Sequence, residues 1–92
     1  MAIQRVTHIG ICVSEMERSI RFYRDLLGFE YLSTIHLVGE PADTLLALKG
    51  TDTYSAFLER DGFRLELICF VTPRASPLEP PRRMNHLGFT HL

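Results

Sequence analysis

Two cysteines, Cys12 and Cys69, are too few for a disulfide framework, and both lie in apolar runs where a cysteine acts as a small hydrophobe. A bridge between facing strands is the lesser alternative. Charge of one sign is also lacking. A net charge of −1 leaves no electrostatic footprint for nucleic acid or for an anionic membrane. No apolar run approaches the roughly 20 residues that span a bilayer. Arg5, Thr7 and His8 interrupt any apolar core near the start, so the segment does not read as a signal peptide. The expectation is a soluble, cytoplasmic protein. Length is modest as well: 92 residues make one small domain. Such a chain buries only about 60–65% of its unfolded surface, and an oligomer interface or a bound metal would add stability.

What is present is ordinary globular composition, 46% apolar and 23% charged, arranged in clear periods. Ile3–Val13 alternates as a strand, with Ile9, Ile11 and Val13 on one side and Val6, His8, Gly10 and Cys12 on the other. Ser14-Glu15-Met16-Glu17 has the form of a capping box and opens a helix. Met16, Ile20, Tyr23 and Leu27 give that helix one apolar stripe, and Gly28 is its left-handed stop, with Phe29 packing back on the last turn. Glu30–Val38 is rich in β formers and reads as a second strand, ended by Gly39-Glu40-Pro41. Pro41 then opens a short helical turn that carries Leu45, Leu46 and Leu48 inward, or else a strand runs there. Tyr54–Arg60 and Phe63–Val71 are strands joined at Asp61-Gly62, a strong hairpin signal.

After Thr72 the composition changes. Residues 73–83 hold four prolines and no period, which makes them a linker. Residues 84–92 turn apolar again, as the start of another strand. Val6-Thr7-His8-Ile9 is echoed by Phe89-Thr90-His91-Leu92, which suggests a repeated module whose second copy has barely begun, although four residues can match by coincidence. The expected organisation is a module over 1–72, a linker over 73–83 and the first strand of a truncated second module over 84–92.

Two residues stand out chemically. His8 lies mid-strand among apolar neighbours, and Glu66 lies mid-strand between Leu65 and Leu67. A carboxylate there needs a partner for its charge: an arginine, solvent, or a metal shared with a histidine. Imidazole with carboxylate suits zinc, nickel, iron, manganese or cobalt. The bland readings are a hydrogen-bonded core histidine and a glutamate on a wetted sheet face. Tyr23 reads as core, His36 as a surface histidine, and Arg74, Arg82 and Arg83 as solvated.

Thr7-His8-Ile9-Gly10-Ile11-Cys12-Val13, followed by Phe22-Tyr23-Arg24-Asp25-Leu26-Leu27-Gly28-Phe29, resembles the opening of the vicinal oxygen chelate superfamily. That superfamily includes glyoxalases, methylmalonyl-CoA epimerases, extradiol dioxygenases and bleomycin- and fosfomycin-resistance proteins. Leu65-Glu66-Leu67-Ile68 resembles its fourth-strand ligand segment. The resemblance implies an α+β fold, a glyoxalase-like βαβββ module with a curled mixed sheet, and paired modules that enclose a divalent metal. It implies His8 and Glu66 as metal ligands from the first module and His91 as the first ligand of the second. His86-Leu87-Gly88-Phe89 competes with His91, but the Thr-His pair favours His91. The remaining ligands would come from a longer chain or from a homodimer. The carboxylate at Glu66 tilts the function toward a metal-dependent lyase or isomerase of glyoxalase type. There the metal chelates adjacent oxygens of a small substrate, and a carboxylate, Glu66 or a later glutamate, moves a proton. The alternatives are a non-catalytic binding protein of bleomycin-resistance type and a ring-cleaving dioxygenase.

Overall fold

The computed structural model describes residues 5–77 and 83–88. Its elements run β1 (Ile9–Val13), α1 (Met16–Arg21), β2 (Glu30–Val38), α2 (Ala42–Leu46), β3 (Asp52–Arg60) and β4 (Phe63–Thr72). The strands form one curled mixed sheet in the order β1-β4-β3-β2. β1 runs parallel to β4, and β3 is antiparallel to both its neighbours. This is the βαβββ arrangement expected from the sequence. The Asp61-Gly62 hairpin explains the tightest link, since both residues take positive φ, 53° and 77°, as the tight turn joining twisted strands requires.

Strand alternation divides the sheet into two faces. Ile11 and Val13 on β1, Leu65 and Leu67 on β4, and Ala56 and Leu58 on β3 point to the side covered by α1. Leu58, Leu65 and Leu67 are fully buried there, each side chain contributing about 1.5–3 kcal/mol by leaving water. Met16, Ile20 and Tyr23 supply the helical half of this core. Leu27, expected as the fourth member of the stripe, is 37% exposed instead. The cause is a wider π-helical turn over Phe22–Leu26, in which the Leu27 N–H reaches back to the Phe22 carbonyl at 3.3 Å. That change of pitch rotates Leu27 off the stripe. Phe29 takes the vacated place, buried with its ring edge-on to Tyr23 at 5.7 Å.

The helix starts later than the capping box predicts. Glu15 is the N-cap and makes no side-chain cap bond, while the Ser14 carbonyl accepts from the Cys69 thiol at 3.8 Å. The stop signal is where it was expected. Gly28 takes φ +73°, and the Arg60 guanidinium donates to the Leu27 carbonyl, satisfying one of the last free acceptors. α2 forms after Pro41, so the short helical turn is present, but its leucines do not all point inward. Leu45 is 84% exposed and Leu46 40%, because α2 stands over the open face of the sheet and buries only Ala42.

Candidate metal centre

The open face carries His8, Gly10 and Cys12 from β1 and its approach, with Glu66, Ile68 and Phe70 from β4. Parallel pairing sets Gly10 beside Glu66, and His8 precedes Gly10 by one two-residue repeat on the same side. The imidazole Nε2 lies 2.9 Å from Glu66 Oε1. The side chains are 34% and 19% exposed, so the pair is half-buried but reachable from solvent. Arg64, the arginine nearest along β4, bonds Glu59 at 3.2 Å. Of the partners open to Glu66 from sequence, Arg64 is engaged elsewhere, and the carboxylate meets a histidine while keeping partial access to solvent.

The ring of His8 is held from two further directions. Thr7 Oγ1 lies 2.9 Å from Nδ1, and the Phe57 ring meets the imidazole edge-on at 5.6 Å. Phe57 is there because β3 pairs it with Glu66. Thr7 can donate to Nδ1 or accept from it. When it accepts, Nδ1 carries the proton and the Nε2 lone pair points at the space shared with Glu66, which is the tautomer a metal needs. Gly10, paired with Glu66, carries no side chain on this face. A Cβ at this position would approach Ile68 Cδ1 to 3.3 Å. Thr7 and Phe57 were missed as positioning residues. The repeated Thr-His pair was the available signal for Thr7; Phe57 had none, because its position depends on a pairing between distant strands.

Two donors do not complete a metal site. Among the described residues no group of three or more His, Cys, Asp and Glu side chains comes together. His91, the third expected ligand, and Arg82 lie outside the described residues. His86 is described and sits in a turn, its backbone N–H on the Arg83 carbonyl at 3.1 Å and its Nδ1 accepting from the Arg83 N–H at 3.2 Å. His36 faces away from the centre. Its neighbour Leu37 lines the open face, whereas the His36 imidazole stacks on Tyr54 at 4.2 Å and pairs with Asp52. Cys12 and Cys69 are both free, and the register Cys12↔Ile68, Val13↔Cys69 directs them to opposite faces.

Glu66 also borders a cleft of about 450 Å³ that sequence reading did not anticipate. It runs along β4 over Ile68 and Phe70 to Leu37 on β2 and to Ala42, Leu45 and Leu46 on α2. Thr53 and Ser55, only 2% and 3% exposed, line it from β3. Leucines on so short a helix show no side preference in sequence, which is why the cleft went unseen.

A four-stranded βαβββ sheet with histidine and carboxylate meeting on its uncovered face defines the class of module that holds small molecules and, commonly, a divalent metal. The profile of the Glyoxalase/Bleomycin resistance protein/Dioxygenase superfamily matches residues 5–92, and the chain belongs to that superfamily. Among solved structures it is similar to a glyoxalase family protein from Bacillus cereus, with 22% identity, a TM-score of 0.85, and coverage of 97% of this chain and 60% of that one. It is also similar to SMU.1112c, at 22% identity and a TM-score of 0.54, covering 94% of this chain and 61% of that one. At such identity the likeness speaks for the fold, and the chain spans about three fifths of the length of both. Among curated proteins none matches significantly. No helix among the described residues is long and apolar enough to cross a membrane.

Proposed function

We propose that this chain supplies half of a metal centre in a cytoplasmic lyase or isomerase of glyoxalase type that acts on a small oxygenated substrate. The carrying observation is the 2.9 Å approach of His8 Nε2 and Glu66 Oε1 on an uncovered sheet face. The donor types fit a divalent ion such as zinc, nickel, manganese, cobalt or iron. His8 would bind through Nε2 with Nδ1–H on Thr7, and Glu66 through a carboxylate oxygen. The remaining ligands would come from a second module over 84–92 and beyond, His91 first, or from a second copy of the chain. When bound, the ion supplies Lewis-acid polarisation of adjacent substrate oxygens. Glu66, which solvent can reach, would accept a proton from the substrate carbon or hold the geometry while another carboxylate does so.

Metal titration of the full-length protein tests this reading. One ion per site is expected, with affinity falling at least tenfold in His8→Ala and in Glu66→Gln. Full-affinity binding by both variants would show that the ligands lie elsewhere. The cleft beside Glu66 favours a second reading, a binding protein that sequesters a small molecule without turning it over. That reading expects tight ligand binding that survives chelation of metal.

A further inference from the structure

We infer that the ligand of this site carries an apolar tail, alkyl or aryl, that runs from the His8–Glu66 pair along β4 to α2; this rests on the metal-centre reading for the oxygenated end alone. The cleft volume of about 450 Å³ is that of a small-molecule site rather than a surface dimple. Its wall is mostly apolar, with Ile68 and Phe70 on β4, Leu37 on β2, and Ala42, Leu45 and Leu46 on α2. Glu66, Ile68 and Phe70 alternate onto one face of one strand, so the polar end and the apolar wall are in fixed register over about 13 Å, at ~3.3 Å per residue.

Charge narrows the class further. The charged residues that line the cleft are Glu40 and Glu66, both carboxylates. An anionic tail would meet repulsion there and no compensating cation. Thr53 and Ser55 add hydroxyls near the floor, enough for a single polar group along the tail but not for a hydrated chain. The leucines of α2 have no fold-building task, since that helix buries only Ala42. Their continuity with the donor pair assigns them to the ligand.

The test uses alkyl hydroxamates, whose two adjacent oxygens chelate divalent metals, titrated calorimetrically into cobalt-loaded full-length protein from acetohydroxamate to octanohydroxamate. Affinity should rise about two- to fourfold per added methylene. Leu37→Asp and Leu46→Asp, on different elements, should flatten that rise, lowering octanohydroxamate affinity far more than acetohydroxamate affinity. A flat series in the unaltered protein overturns the inference even where metal binds normally. If no metal binds, the oxygenated end is misassigned, and the tail is judged by primary alcohols displacing anilinonaphthalene sulfonate: a chain-length dependence supports it and a flat series overturns it. If the leucine variants convert a dimer to a monomer with the chain-length dependence intact, the leucines are a contact between copies and the inference falls.

Discussion

The two faces of this sheet are made by the same four strands, often by adjacent residues, and they obey different rules. On the helix-covered face Leu65 and Leu67 are fully buried in an apolar cluster with Ala56, Leu58 and Phe29. One residue over, Glu66 points to the opposite face, where it meets a histidine and pairs across strands with Gly10 and Phe57. The covered face satisfies itself. The open face is left with polar atoms half-buried, leucines in water and a cleft. Folding accounts for the first arrangement and has no use for the second, which is why function is sought on the second.

The comparison breaks most sharply at β4, where neighbouring residues serve the two faces. Leu67→Ala should cost about 2–5 kcal/mol in urea or thermal unfolding, because the fully packed site has no solvent to fill the void. In a domain whose whole stability is about 5–15 kcal/mol, that is a large part. Glu66→Gln should move metal-free stability by less than about 1 kcal/mol, since a polar side-chain contact that solvent can reach contributes little. Its metal affinity should nevertheless collapse. Equal loss of stability in the two variants would show that the open face is structural after all.

How much of this was legible follows from the same division. Period-two alternation placed Glu66 on the open side of β4 and His8 on the same side as Gly10, although β1 begins only at Ile9 and His8 lies on its approach rather than mid-strand as expected. Their meeting was not legible from the residues. It depends on a parallel pairing of β1 with β4 across most of the chain, and only the family resemblance brought the two together. The π-helical turn that displaces Leu27 left no signal either, since a stripe of apolar residues does not reveal where its helix changes pitch. At α2, five residues were too few to say which side a leucine takes. His91, outside the described residues, and the second module rest on the sequence echo and the family resemblance.

The joints between the faces give smaller effects. Gly28 ends the helical segment at φ +73°, and a Cβ there would lie 3.1 Å from the Arg60 guanidinium. Gly28→Ala should therefore cost about 1 kcal/mol or somewhat more, the sum of the left-handed backbone and a displaced cap. Unfolding of the variant beside Arg60→Ala separates the two contributions: a double variant no worse than Gly28→Ala alone would assign the cost to the cap.

The smallest expected effect is also the one that links α2 to the sheet. Asp43 accepts the N–H groups of Thr51 at 2.8 Å and Gly50 at 3.1 Å, fastening α2 to the start of β3. Thr51, through its backbone N–H, and then the Gly50 N–H hold the Asp43 carboxyl below its ordinary value. A carboxyl depressed in the folded state binds protons more readily when unfolded. Its stabilisation is therefore complete above the unfolded value, near pH ~3.9, and is lost as pH falls through the lower folded one. Asp43→Asn should lower the urea midpoint slightly at neutral pH, and the gap from the parent protein should close on acidification below about pH 4. A gap that persists in acid would mean that Asp43 fastens α2 by shape rather than by charge. In that case the α2 side of the cleft would keep its form at low pH, and the metal-independent displacement of an apolar dye by primary alcohols would keep its chain-length dependence there.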